Sequence, residues 1–294
     1  MRRRLRTAGS LSLIPAAMTD PPVWLNGVLV PQSAARLDPL AQGFLTGLGV
    51  YDSLRLRAGH PLFLTKHLRR ITDGAARLGL PAPDAATVES AIASLAAAQG
   101  LTEGRVRITL GGGASPSVQP AAEGNIMLVT LAVLAPVKVS AALTVTPFRR
   151  NEHSPLAGIK YTACAENVLA QRAAIAAGFD EALFLNTAGE VCEGAFSNIF
   201  LVAGDRVLTP PLTSGCLPGV MREAVLELCA ARGIPAEEKT LTAASLREAD
   251  EVFVTSAIRG IQPVHRVDGR AFDAPGRITA ALVSCLQAGQ GITG

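Results

Sequence analysis

The sequence has no C-x-x-C pair, no apolar run near the ~20 residues of a membrane span, and no internal repeat or low-complexity segment. Its five cysteines, Cys164, Cys192, Cys216, Cys229 and Cys285, are odd in number and sit mostly in apolar contexts. That pattern argues against a disulfide framework or a zinc site and suits a reducing cytosol. Charge is scarce: 17% of residues are charged, and a net charge of +3 is spread over scattered basic residues, whereas a nucleic-acid footprint needs a clustered stripe. The expectation is a cytoplasmic protein that meets a small-molecule substrate, not nucleic acid or membrane. Apolar residues are what the chain has in quantity: 49% of 294 residues, enough for one large core or two medium ones, and two domains are expected.

Residues 1–20 carry Arg2, Arg3, Arg4 and Arg6 ahead of a short apolar patch, the order of parts in a signal peptide. Gly9, Ser10, Ser12 and Pro15 break that patch, so a disordered extension is expected, with Met18 as an alternative initiator and export as the competing reading. Asn26-Gly27 between apolar pairs marks a hairpin, and a longer strand runs Val50–Arg57. A helix from Thr65 to Leu78 would bury Leu68, Ile71, Ala75 and Leu78, leaving Arg69 and Arg70 beside or off that stripe. Asp84 is placed to cap a second helix that Gly100 ends. With strands at Val106–Leu110 and Ile126–Leu131, residues 21–131 read as a small α+β domain, 132–140 as a linker and 141–294 as a second domain.

One stretch organises the second domain. Lys160 stands where a strand-like run ends and an apolar helix, closed by Gly178, begins. A lysine there must be desolvated between packed elements unless something uses it. Further on, Glu193 lies in the turn Glu193-Gly194-Ala195-Phe196-Ser197-Asn198 leading into the strand Ile199–Val202. A lysine that can form a Schiff base and a carboxylate that can hold a pyridinium nitrogen are the two groups pyridoxal phosphate requires of a protein. From this pair alone, a surface lysine and a turn glutamate account for the pattern better. Gly215–Gly219 then opens the helix Val220–Arg232, and a glycine-rich helix start offers free N–H groups to a phosphate, although most Pro-Gly turns merely start helices.

Arg70 in His67-Leu68-Arg69-Arg70-Ile71, Lys160, Glu193, the turn Leu217-Pro218-Gly219-Val220-Met221-Arg222 and Thr255 at a strand end follow one another in a familiar order. From about Trp24 to Val264 the chain resembles the class IV (fold-type IV) pyridoxal-phosphate enzymes, which include branched-chain and D-amino-acid aminotransferases and 4-amino-4-deoxychorismate lyase. The resemblance implies an α+β two-domain fold like that of D-amino-acid aminotransferase, with a smaller N-terminal domain and a larger C-terminal domain around a β-barrel-like core. It implies a homodimer, Lys160 as the cofactor lysine, Glu193 at the ring nitrogen, and Arg70, the N–H groups of Val220 and Met221 and the Thr255 hydroxyl at the phosphate, with Ser197 and Asn198 beside them. Singly, Arg70 could pair with Asp73 on its own helix, and Thr255 could be an ordinary strand residue.

Leu156-Ala157-Gly158-Ile159-Lys160 and Ser256-Ala257-Ile258-Arg259-Gly260-Ile261-Gln262-Pro263-Val264 resemble the lyase branch most. That reading implies release of pyruvate and 4-aminobenzoate from 4-amino-4-deoxychorismate, with Arg259 meeting a substrate carboxylate. An aminotransferase acting on D-amino or branched-chain amino acids is the alternative, and a lapsed cofactor-binding protein a remote one. The chain departs from the family at Thr46, Leu48 and Cys164, and in the arginine-free loop that begins Gly111-Gly112-Gly113. Carboxylate binding is therefore expected from Arg55, Arg107 or Arg259, with Tyr51 on the substrate side.

Overall fold

The computed structural model describes residues 19–115 and 124–289. The first half is one antiparallel sheet covered on one face by helices. Its strands are β1 (Pro22–Leu25), β2 (Val28–Pro31), β3 (Gly49–Arg57), β4 (His60–Pro61), β5 (Gly104–Gly111) and β6 (Ile126–Ala132), ordered β2-β1-β6-β5-β3-β4. The short α1 (Gln42–Leu45) precedes β3, and α2 (Leu64–Arg77) and α3 (Ala85–Gln99) pack on the sheet. The alternation of β3 decides its faces: Val50, Leu54 and Leu56 point into the core with Ile71 of α2 and Leu95 of α3, while Tyr51, Ser53 and Arg55 point the other way. Asp84 caps α3 by accepting the Thr87 N–H at 2.8 Å, and Gly100 ends it at φ 62°, where a side chain would be strained.

After residues 133–140, which form no helix or strand, a second sheet is built from β7 (Ala141–Arg150), β8 (Glu181–Asn186), β9 (Val191–Gly194), β10 (Asn198–Ala203), β11 (Arg206–Thr209), β12 (Ala236–Glu238), β13 (Glu251–Ser256), β14 (Gly260–Val267) and β15 (Arg270–Ala271). Its order is β12-β11-β10-β13-β14-β7-β8-β9, with β15 on β14. The sheet curls as a half-barrel, so that β9 at one end of the order comes back against β10. Around it lie α4 (Ala165–Ala176), α5 (Val220–Ala231), α6 (Ala243–Glu248) and α7 (Arg277–Gln287). The run Asn198–Ala203 is apolar without alternation because both its faces are covered: Ile199 and Leu201 join one core cluster, Phe200 and Val202 another. Phe200 stacks on its cross-strand partner Phe253 with ring centroids 4.8 Å apart.

The protein is thus a mixed α+β fold, as the sequence led one to expect. One local expectation falls almost wholly outside the described residues, and another needs correction. The extension over residues 1–20 lies outside the described residues apart from Thr19 and Asp20, and Asp20 is tied down, accepting both the N–H and the hydroxyl of Ser33. The helix after Lys160 begins only at Ala165, because residues 160–162 first pair with β3. Among the described residues no helix is long and apolar enough to cross a membrane.

Candidate active site

The seam between the two sheets is a cleft of about 860 Å³ with Lys160 in its wall. Lys160 is seated by backbone pairing: the Tyr51 N–H donates to the Lys160 carbonyl, and the Thr162 N–H to the Gly49 carbonyl, both at 2.9 Å. Only glycine fits at position 49, since a Cβ would stand 2.6 Å from the Leu110 carbonyl oxygen. The Lys160 ammonium lies 4.7 Å from the centroid of the Tyr51 ring, and the Arg107 guanidinium lies 3.7 Å from the same centroid. Lys160 keeps some surface open to the cleft, yet burial by the surrounding protein, reinforced by the Arg70 charge, lowers its pKa to about 8. Burial and the neighbouring Cys164 push the Tyr51 phenol up to about 12, so it stays neutral.

Glu193, on β9, shares the cleft. Oε2 accepts the Leu217 N–H at 2.9 Å, and Oε1 faces Arg150 Nε at 3.1 Å, an ion pair without hydrogen-bond alignment. Burial raises its pKa, while Arg150, the Leu217 N–H and Lys160 pull the other way. The arrangement holds a buried carboxylate ready for a cationic donor, as a protonated ring nitrogen would be.

The far end of the cleft is fitted for an anion. Val220 and Met221 begin α5, so their N–H groups have no acceptor within the helix, and the preceding Gly219 supplies no side-chain cap. A Cβ on Gly219 would lie 1.9 Å from Asn198 Oδ1, so the close approach of this turn to β10 demands glycine. The Thr255 hydroxyl is buried with no hydrogen-bond partner among the described residues. Arg70 arrives from α2, its Nη1 donating to the Pro218 carbonyl at 3.1 Å. Its other side grips Asp52: Nε donates to Oδ2 at 2.9 Å and Nη2 to Oδ1 at 2.7 Å. His67 Nδ1 lies 2.9 Å from the same Oδ1. Burial alone would raise the pKa of Asp52, but Arg70 and His67 together outweigh it and hold the carboxyl well below the usual range. These residues fit pyridoxal phosphate: an orphaned hydroxyl, free helix-start amides and a fixed guanidinium for the phosphate, Glu193 for the ring nitrogen, and a lysine of depressed pKa for the aldehyde carbon.

Tyr51, Arg70, Arg107, Lys160, Glu193, Ser197, Asn198, Val220, Met221, Thr255 and Arg259 all line the cleft, whereas Arg55 does not. Arg55 shares its sheet face with Tyr51 but stands farther along β3, where it pairs with Glu103 at 3.4 Å. Arg70 is not paired with Asp73; its partner is Asp52 on the strand beneath. Arg259 is not a free receptor, because Nη2 donates to the buried Glu181 carboxylate at 2.6 Å and Nη1 to Gln262 at 3.0 Å. The Ser197 hydroxyl donates to that same carboxylate at 3.0 Å, and Asn198 Nδ2 donates to the Leu217 carbonyl at 2.8 Å.

Asp52, Arg105, Arg150 and Glu181 escaped the sequence reading. The signal for Asp52 was present: it falls on the apolar phase of β3, between Val50 and Leu54, where a carboxylate must have a partner. Glu181 likewise opens a wholly buried strand.

The profile of the family described as amino-transferase class IV matches residues 49–267. The chain is 30% identical over 266 residues to a probable branched-chain-amino-acid aminotransferase of Thermotoga maritima, covering 89% of this chain and 93% of the relative. A D-alanine aminotransferase of Bacillus licheniformis is 29% identical over 275 residues, covering 90% and 95%. Among solved structures, a provisionally assigned 4-amino-4-deoxychorismate lyase of Legionella pneumophila has a TM-score of 0.83 at 27% identity, covering 87% of this chain and 96% of that one.

Proposed function

The chain belongs to the class IV aminotransferases and is a pyridoxal-phosphate enzyme, and from that premise we propose that it transfers the amino group of an amino acid to a 2-oxo acid. One observation carries the substrate assignment: Arg107 has no acidic partner among the described residues and touches the same Tyr51 ring as Lys160. A carboxylate bound there lies beside the lysine that must act on the neighbouring amine-bearing carbon.

Lys160 would hold the cofactor covalently, Glu193 would meet its ring nitrogen, and Arg70, Thr255 and the N–H groups of Val220 and Met221 would hold its phosphate. When bound, the cofactor supplies an electron sink conjugated with the amine-bearing carbon. Lys160 Nζ would take the proton from that carbon and deliver it to the carbon that had carried the aldehyde oxygen, and its pKa of about 8 suits it to both accepting and giving a proton near neutral pH. Arg150 and the Leu217 N–H oppose the rise that burial imposes on the Glu193 pKa, and a protonated ring nitrogen would add a further counter-charge to this carboxylate. Asp52 fixes the Arg70 guanidinium so that the phosphate end stays anchored while the proton moves. A second copy of the chain belongs to this proposal: Leu40, Phe44 and Leu45, at 64, 74 and 56% exposure around α1, offer an apolar face that sedimentation equilibrium would find occupied in a homodimer.

The lyase reading is the second, favoured by the two motifs and the Legionella relative; against it, the arginine that would hold its dicarboxylate is engaged by Glu181. The purified holoenzyme is tested with L- and D-amino acids, then 2-oxo acids, and separately with 4-amino-4-deoxychorismate. Transamination is expected to shift the cofactor's absorbance with the amino donor alone and restore it with the 2-oxo acid. Release of pyruvate and 4-aminobenzoate with no 2-oxo acid present, and no response to amino acids, would replace it with the lyase.

A further inference from the structure

A second cavity of about 480 Å³ adjoins the cleft under residues 132–138, and the two share Arg105, Asp180, Ile258 and Arg259 as walls. Apart from Lys138 and Gln262 its other walls are apolar, with Val133, Leu134, Pro136 and Val137 prominent. Of its three cations, Lys138 is paired with Asp180 at 2.6 Å and Arg259 with Glu181 at 2.6 Å. Arg105 is exposed and has no partner among the described residues. On the neighbouring strand Arg55 adds a further cation, compensated only by Glu103 at 3.4 Å. The acids facing this region are therefore already engaged, and the field at Arg105 is left positive.

Arg105 and Arg107 are two residues apart on β5 and so point to the same face, about 6.6–6.8 Å from each other along the strand. Arg107 stands over Tyr51 beside Lys160, and Arg105 stands one step farther out, at the opening of the apolar annex. Resting on the reading that Arg107 takes the carboxylate next to the reacting amine, we propose that the annex is a subsite for the distal carboxylate of an extended dicarboxylic substrate, with Arg105 as its receptor. The linker side chains cover the apolar spacer between the two carboxylates. A monocarboxylic amino acid leaves Arg105 unused, and a short dicarboxylic one reaches only Arg107.

The test is a binding series on the holoenzyme, read by calorimetry without turnover: linear dicarboxylic acids from succinate to suberate against monocarboxylic acids of equal length. Affinity is expected to peak at one spacer length, about tenfold above the matched monocarboxylic acid, and to weaken with added salt because Arg105 is exposed. Arg105→Gln, a substitution on an exposed strand position, is expected to abolish that peak and leave monocarboxylic acids unchanged, whereas Arg107→Gln weakens both series. A dicarboxylic advantage that persists in Arg105→Gln, or no advantage at any length, would overturn the subsite. Because the readout is equilibrium binding, a failure to transaminate amino acids would count against the proposed reaction and leave this result standing by itself.

Discussion

Replacing Asp52 is the sharpest perturbation the structure offers, because it leaves every cofactor-lining residue chemically intact. The carboxylate is fully buried and holds two hydrogen bonds from Arg70, at 2.9 and 2.7 Å, with His67 2.9 Å away. Asp52→Ala strands a guanidinium that is 11% exposed and an imidazole that is 1% exposed. Removing one partner of a buried pair costs about 3–5 kcal/mol, whereas Asp52→Asn keeps one acceptor oxygen and is expected to cost about 1–3 kcal/mol. Urea unfolding of the apoprotein reads this loss. Equilibrium dialysis then reads the cofactor, whose dissociation constant is expected to rise about tenfold as Arg70 loses its fixed direction. The pH dependence has a definite sign. The folded pKa of Asp52 is depressed, so its stabilisation is complete above the unfolded value of about 3.9 and is lost as pH falls through the folded one. The gap between wild type and Asp52→Asn should therefore be flat from about pH 5 to 8 and close in acid. Equal urea midpoints and equal cofactor affinity at pH 7 would refute the reasoning.

Lys160, with its pKa lowered to about 8, must be unprotonated to capture the cofactor, so reconstitution of apoprotein should accelerate with pH to a plateau with a midpoint near 8; a midpoint near the ordinary lysine value of about 10.4 contradicts the buried site. Borohydride-fixed cofactor should map to the peptide carrying Lys160, and Lys160→Ala should carry none. Gly219→Ala puts a Cβ 1.9 Å from Asn198 Oδ1, and Asn198 is held by the Leu217 carbonyl, so about 1–3 kcal/mol of stability and most of the cofactor affinity should go, read by thermal melts with and without cofactor. Arg259→Ala leaves Glu181 buried without its cation and should lower the melting temperature of the apoprotein, with partial rescue by Arg259→Lys; an unchanged melt with a raised KM would return Arg259 to the substrate.

Turns, caps and strand phases were legible in the sequence because each is decided within a few residues: Asn26-Gly27 makes its hairpin, Asp84 its cap, Gly178 its helix stop. The order of Lys160, Glu193 and the helix start at Val220 was legible because it follows that of the class IV family, although Lys160 itself ends no strand or helix. Which charges meet across the chain was not. Arg70 finds Asp52 rather than Asp73 because α2 lies over the core face of β3. Arg259 finds Glu181 because β13, β14, β7 and β8 stand side by side in one sheet, an adjacency that no local pattern encodes. That pairing spends the cation expected to meet substrate and leaves Arg105 and Arg107 lining the cleft with no acidic partner among the described residues. Sequence alone determined which residue types the chemistry could draw on; the register of β3 on β5 and the crossovers of the large sheet decided which of them are free to be used.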